Sequence, residues 1–99
     1  SQLAKKLMPS IIRLIEDSYG ELIEKIEVRE KDVMYGSTYD FENKTHGWKS
    51  TELELQVYSK YSGQNTNRLR WNILEKVANF TPFNARKYGC PIDVKVFPK

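Results

Sequence analysis

The stretch KSTELELQVYSKYSG, residues 49–63, contains the most regular alternation of apolar and polar side chains in the chain, over residues 51–59. Leu53, Leu55 and Val57 share one face of an extended backbone. The opposite face carries the other set: Glu52, Glu54, Gln56 and Tyr58. A period of two is typical of a strand whose sheet packs on one side and meets water or a partner on the other. The segment therefore predicts a strand with one apolar and one charged face.

Three other segments alternate with the same period and predict further strands: residues 21–30, 33–41 and 92–97. The dipeptide KD at 31–32 is expected to form a tight turn between the first two of these strands. Residues 42–47, ENKTHG, have the composition of a second turn, which leads into the strand over 51–59.

Residues 3–19 predict an amphipathic helix, because their apolar side chains fall within one half-turn of arc at about 100° per residue. The other half carries the polar residues and a proline: Lys5, Lys6, Pro9, Arg13, Glu16 and Asp17. The helix either begins at Pro9, where a missing N–H is harmless, or continues through it with a kink on the solvated side. Gly20 is expected to end the helix.

Residues 67–80 predict a second helix, with Asn65 or Thr66 as its N-cap. Its inner stripe consists of Leu69, Ile73, Val77 and Phe80. Trp71, Leu74 and Ala78 widen the apolar arc to about 200°, more than a helix lying on one sheet face needs. Two interpretations stay open: the first helix covers this surplus, or part of it, with Trp71, belongs to a subunit interface.

The order of the predicted elements is α-β-β-β-α-β. Both helices must bury an apolar stripe, and the apolar face of the strand over 51–59 is available for them. We therefore expect a single α+β domain over residues 1–99, with two helices packed on one face of a mostly antiparallel four-stranded sheet. A chain of 99 residues is long enough for one hydrophobic core, not for two.

Composition places the chain among ordinary globular domains, with 39% hydrophobic and 29% charged residues. The net charge is +3, but the 16 basic residues are scattered among 13 acidic ones. Because nucleic-acid binders concentrate basic residues on one face, this scatter argues against a nucleic-acid partner. Apolar runs are too short to predict a membrane span, and the single cysteine, Cys90, allows no internal disulfide. We expect assembly in a cytoplasm.

Residues with catalytic or metal-binding chemistry are few. His46, the single histidine, lies in a predicted turn and is interpreted as a solvated loop residue. Glu52 and Glu54 lie on one strand face, where a carboxylate pair can bind a divalent ion or do acid–base work. Metal-dependent nucleases place a lysine where this chain has Gln56, so we interpret the pair as solvated or interfacial charge. We expect no catalytic residue, no metal, no cofactor and no enzymatic activity.

The candidate functional residues form two patches suited to protein–protein contact, one on the long strand and one on the second helix. They are Trp48, Glu52, Glu54, Tyr58, Arg68, Arg70 and Trp71. Tryptophan and tyrosine mixed with arginine is the composition of interface cores. We hypothesise that the glutamates of one copy pair with the arginines of its neighbour.

The run THGWKSTELELQVYSKYSGQNTNRLRWNILEKVANF, residues 45–80, resembles the central segment of tailed-phage tail-completion, or tail-terminator, proteins. That segment has a turn, a long strand ending in VYS, a Ser/Gly/Asn loop and a helix, and the α-β-β-β-α-β order of the chain also matches. The resemblance implies a structural virion protein, assembled in the host cytoplasm, that forms a ring with six copies as the favoured number. The ring would cap the tail tube or join the tail to the head, with tail-tube and head-connector proteins as partners.

Two other function classes fit the residues alone: a small protein-interaction domain, such as an adaptor or inhibitor, and a nucleic-acid-binding α+β module. Residues 58–71, YSKYSGQNTNRLRW, interleave basic and aromatic side chains as single-strand-binding surfaces do. Leu69 must point inward between Arg68 and Arg70, however, which makes the basic surface small and split.

Overall fold

The computed structural model describes residues 2–35, 48–80 and 92–99. In chain order they form α1 (Gln2–Tyr19), a short 3₁₀ turn (Gly20–Leu22), β1 (Ile23–Tyr35), β2 (Trp48–Ser59), α2 (Thr66–Ala78) and β3 (Ile92–Phe97). The α+β class predicted from the sequence is confirmed, with two helices and three strands in this part of the chain.

β2 is the central strand of a mixed sheet with the order β1-β2-β3. β1 runs antiparallel to β2, in a register that places Val28 opposite Leu55. β3 runs parallel to β2 and places Val94 on the other side of Leu55. Parallel neighbours need a long crossover connection, and α2 lies in the connection between β2 and β3. The sheet is therefore mixed in the described residues rather than mostly antiparallel.

The predicted turn at residues 31–32 is wrong, since β1 continues through both residues to Tyr35. Lys31 pairs with Glu52 and Asp32 with Thr51 in one uninterrupted ladder. Long-range pairing with β2 gives these residues backbone partners that their local turn composition does not anticipate. Residues 33–35 of the strand predicted over 33–41 thus belong to β1. Residues 36–41 of that strand and the predicted turn over 42–47 lie outside the described residues.

α1 runs through Pro9 without ending there, so the interpretation in which the helix begins at Pro9 is not the one observed. Pro9 lies on the exposed side of the helix, where water can satisfy the carbonyl that its missing N–H leaves unpaired. The helix ends at Tyr19, next to Gly20, as the sequence predicts. Gly20–Leu22 then form a 3₁₀ turn, so β1 begins at Ile23 rather than at residue 21.

α2 is capped by Asn65 rather than Thr66. The Asn65 Oδ1 atom accepts a hydrogen bond of 3.0 Å from the main-chain N–H of Arg68, which satisfies one of the free donors at the helix start. Thr66 is the first residue of the helix itself. This cap fixes where α2 begins relative to β2 and so determines which α2 residues face the sheet.

One hydrophobic core lies between the sheet and the helices. Its buried members come from α1, β2, α2 and β3: Met8, Ile11, Ile15, Leu53, Leu55, Val57, Leu69, Ile73, Val77, Ile92 and Val94. They include the three β2 residues that the alternation predicted to face the helices. β1 is covered less completely, because Val28 keeps 44% of its surface exposed whereas its register partner Leu55 is fully buried.

We predict that truncating Leu55 destabilises the fold far more than truncating its neighbour Val28. Leu55→Ala should lower the free energy of unfolding by about 2–5 kcal/mol, since it opens a cavity at the centre of the core. Val28→Ala removes atoms that already meet water and should cost less than about 1 kcal/mol. Urea denaturation of both variants measures the difference, and equal losses would contradict this packing.

Candidate interaction surfaces

The outer face of the sheet, turned away from the helices, carries charged and aromatic side chains in rows across the three strands. The strand register defines these rows, in the order β1, β2, β3, as Arg29, Glu54 and Asp93; Glu27, Gln56 and Lys95; and Lys25, Tyr58 and Phe97. Acidic and basic residues share the first two rows, and long side chains also reach diagonally between strands. Most contacts on this face therefore join residues that are far apart in sequence.

Glu54 is buried although it lies on the outer face, with only 4% of its surface exposed. Gln56 Nε2 donates a hydrogen bond of 3.1 Å to Oε1 of Glu54, and Lys31 Nζ and Lys95 Nζ lie 3.4 Å and 3.6 Å from Oε2. Burial acts to raise the pKa of Glu54, but the Gln56 hydrogen bond and the two lysines outweigh it and hold the pKa below its ordinary value. The chain itself thus stabilises the charged form of Glu54.

Asp93 extends this network onto β3. Lys31 Nζ donates to Oδ2 of Asp93 at 2.9 Å, and the main-chain N–H of Val94 donates to Oδ1 at 2.9 Å. Burial acts to raise the pKa of Asp93, but these two hydrogen bonds and the nearby Arg70 keep it below its ordinary value. The hydrogen bond to Asp93 in turn raises the pKa of Lys31. Lys31 therefore links β1 to both other strands.

Arg70 connects α2 to the edge of the sheet. Its Nε donates a hydrogen bond of 2.7 Å to the main-chain oxygen of Val94, and its Nη2 lies 3.5 Å from Oδ1 of Asp93. Both main-chain polar groups of Val94 are thus bound by side chains rather than by a further strand. Occupying an edge in this way prevents another chain from pairing at that point.

Tyr58 lies at the other end of the outer face, next to Phe97. Their rings stack with centroids 5.1 Å apart, and Lys25 Nζ lies 4.6 Å from the centre of the Tyr58 ring. The Tyr58 hydroxyl donates a hydrogen bond of 3.2 Å to Glu27 Oε2. Tyr58 is therefore held by three neighbours, one of them acidic.

Trp71 is the most exposed large hydrophobic residue in the described part of the chain, at 60%. It lies on α2, and the Arg70 guanidinium is 5.5 Å from the centre of its ring, within the range of a cation–π contact. Arg68, one turn earlier, is exposed as well. Of the three residues that widen the apolar arc, Trp71 is therefore not covered, whereas Leu74 and Ala78 are half-buried and Leu74 packs against the core.

The predicted residues lie on two surfaces rather than in one site. Glu54 and Tyr58 belong to the outer sheet face with Glu52, which is half-buried opposite Lys31. Trp48 is the first residue of β2, and its backbone pairs with Tyr35.

Arg68 and Trp71 belong to α2, and Arg70 reaches from α2 to Asp93 on the sheet. Glu54 and Arg70, which we hypothesise to pair between copies, both have partners within the same chain: Lys31 for Glu54 and the main-chain oxygen of Val94 for Arg70. An intersubunit contact through either residue would have to share or replace those partners.

Sequence reasoning missed the residues that complete the outer-face network: Lys31, Asp93, Lys95 and Phe97. The period-two pattern of β3 did place Ile92 and Val94 on one face, which puts the intervening residues on the other. The pattern does not show that β3 pairs parallel to β2. Without the register of that pairing, no contact between β3 residues and Glu54 can be inferred.

An open groove of about 540 Å³ lies between the C-terminal halves of α1 and α2. Apolar, aromatic and polar residues line it: Leu14, Tyr19, Asn72, Glu75, Lys76, Asn79 and Phe80. Within the described ranges, no group of three or more His, Cys, Asp or Glu residues is arranged to hold a metal ion. None of the helices that the structure describes is long and apolar enough to span a membrane.

Comparison of the chain with protein-family models, curated proteins and solved structures found no match.

We predict that the buried Glu54 and the half-buried Asp93 make the fold acid-sensitive. Folding lowers the pKa of Glu54 and Asp93 from ordinary values of 4.5 and 3.8. Their stabilisation is therefore complete above those values and is lost as the pH falls towards the folded-state pKa. The Glu54→Gln/Asp93→Asn variant should be about 1–3 kcal/mol less stable at pH 7, since it leaves Lys31 without an anionic partner, and should lose less stability on acidification.

Denaturant unfolding at a series of pH values between about 7 and 2 measures this dependence. The matched control is Glu21→Gln/Glu75→Gln, which neutralises two exposed carboxylates and should keep the pH dependence of the unaltered chain. Identical pH profiles for the two double variants would show that the network does not stabilise the fold.

Proposed function

We propose that the chain is a structural, self-assembling virion protein that forms a ring at the phage tail end or head–tail junction, and that it is not an enzyme. The proposal joins the resemblance of residues 45–80 to tail-completion proteins with the surfaces that the fold leaves exposed. In this role the ring terminates the tail tube, joins the tail to the head, or does both. Its partners are then further copies of the chain, the tube protein and the head connector.

The observation that carries the proposal is the exposure of Trp71 on α2. A tryptophan that is 60% exposed leaves a large apolar area in water, and burying it against a partner is favourable. Arg70 lies against its ring and Arg68 lies one turn away. Tryptophan and arginine are the residue types most enriched among those that dominate interface affinity, so this part of α2 is suited to a subunit contact.

A cyclic assembly also needs a second, different patch on each subunit, because a ring is built from head-to-tail contacts. The outer sheet face supplies one, with the Tyr58–Phe97 stack and the partly exposed lysines around it. The buried Glu54 network holds this face in one conformation, since it ties β1 and β3 to β2. A pre-formed surface of this kind binds with little loss of side-chain entropy.

The same exposed tryptophan would also serve an adaptor or inhibitor that forms a one-to-one complex with another protein. A nucleic-acid module has less support, because Tyr58 stacks on Phe97 and hydrogen-bonds to the acidic Glu27. Assembly experiments separate these functions: a ring has a defined high mass, an adaptor complex has one copy of each chain, and oligonucleotide binding weakens steeply with salt.

We predict that the unaltered chain forms rings, alone or with a tail-tube protein, and that Trp71→Ala prevents their formation. Loss of a central aromatic anchor should weaken the contact at least about tenfold, since such residues cost 1.4 kcal/mol or more on truncation, roughly a factor of ten. Light scattering after size exclusion, with negative-stain microscopy, measures mass and shape. The variant should unfold at the same temperature as the parent, because Trp71 contributes little to the core.

Tyr61→Ala is the matched control, since Tyr61 is a second exposed aromatic, at 52%, and lies in the loop before α2. It should leave ring formation unchanged. A chain that stays monomeric at all concentrations, with and without tube protein, would refute the proposed function. Rings that tolerate Trp71→Ala would show instead that Trp71 is not part of the subunit contact.

A further inference from the structure

Side chains occupy the outer edge of β3 near its middle. β1 and β3 are the two edge strands of the sheet in the described residues, and an edge strand normally offers unpaired N–H and C=O groups to another strand. At Val94 both groups are bound: its N–H donates to Oδ1 of Asp93 at 2.9 Å, and its oxygen accepts a hydrogen bond of 2.7 Å from Nε of Arg70. A further strand can pair at this point only by displacing both side chains.

Arg70 and Asp93, which together form what we call the edge plug, also hold each other in place. Nη2 of Arg70 lies 3.5 Å from Oδ1 of Asp93, the same oxygen that accepts from Val94. Lys31 Nζ donates to the other carboxylate oxygen at 2.9 Å. Both side chains of the plug are half-buried, and hydrogen bonds between charged groups are stronger than neutral ones. The plug is therefore a fixed part of the fold rather than a loose surface contact.

The other edge strand is protected by different means. Charged residues of both signs fill most of β1 between residues 23 and 31: Glu24, Lys25, Glu27, Arg29, Glu30 and Lys31. Charge along an edge opposes pairing with another strand. β3, with the sequence IDVKVF, has one acidic and one basic residue, and its other four residues are apolar. A short segment of high β-propensity and no net charge favours strand pairing, so β3 depends on the plug for protection.

We propose that Arg70 and Asp93 close this edge to strand pairing, and that the chain without them pairs along β3 with β3 of a second copy. Two identical edges that meet antiparallel about a two-fold axis present the same donors and acceptors to each other, so they are self-complementary. Main-chain groups alternate in direction along a strand, and those of Val96 therefore face the same edge as those of Val94. The inference goes beyond the proposed function and holds whether or not the parent forms rings.

Removal of the plug tests this role. Arg70→Ala/Asp93→Ala removes one positive and one negative charge, so the net charge stays the same. This variant should self-associate at least about tenfold more tightly than the parent, since pairing of two β3 edges adds several main-chain hydrogen bonds. Sedimentation equilibrium measures the association. Hydrogen exchange locates it, because the Val96 amide should exchange slowly in the associated variant and fast in the parent.

Arg68→Ala/Glu75→Ala is the matched control for charge. It also removes one basic and one acidic side chain, both exposed on α2, and it leaves the plug intact. Lys31→Gln is the control for lost stability, because it breaks the ion pairs of Lys31 with Glu54 and Asp93 but leaves both main-chain groups of Val94 bound. Both controls should associate like the parent.

Three results would overturn the proposal. The first is unchanged association of the plug variant when circular dichroism shows it folded. The second is tighter association with a Val96 amide that still exchanges fast, because the new contact would then lie elsewhere. The third is an equal gain in association for Lys31→Gln, which would make lost stability the cause. If the double variant does not fold, Arg70→Ala alone replaces it, since it still frees the oxygen of Val94.

Discussion

The pairing of β2 along both of its edges is the interaction on which the rest of the structure depends. On the inner face it places Leu55 between Val28 and Val94, and so sets the floor on which α1 and α2 pack. On the outer face it brings lysines from both neighbouring strands to Glu54. The core and the polar network therefore lie on opposite faces of β2. Both depend on the register of β2 with β1 and β3.

The sequence predicted those features that repeat locally. Period-two alternation identified the inner face of β2, and helical periodicity identified the stripes of α1 and α2 that form the core. Features that depend on distant partners were not predictable in the same way. The dipeptide at 31–32 has a turn composition but lies within β1, and Asp93 meets Lys31 only because β3 pairs parallel to β2. Local composition records neither of these pairings.

The charged and aromatic residues fall into two groups: those that make contacts within the chain and those that stay exposed for contact with a partner. Glu54 and Arg70 hold strands and helix together, although the sequence alone places them among the interface residues. Trp71 contributes little to that framework, and 60% of its surface is exposed. The proposed assembly rests on this exposed tryptophan.

Native-state hydrogen exchange, followed residue by residue, tests the central place of β2 most directly. A strand paired on both edges and covered by helices can release its amides only when the whole domain unfolds. The amides of residues 53–58 should therefore exchange with the free energy of global unfolding, the highest in the chain. Exchange of these amides at a much lower free energy, while α1 or α2 stays protected, would contradict the account.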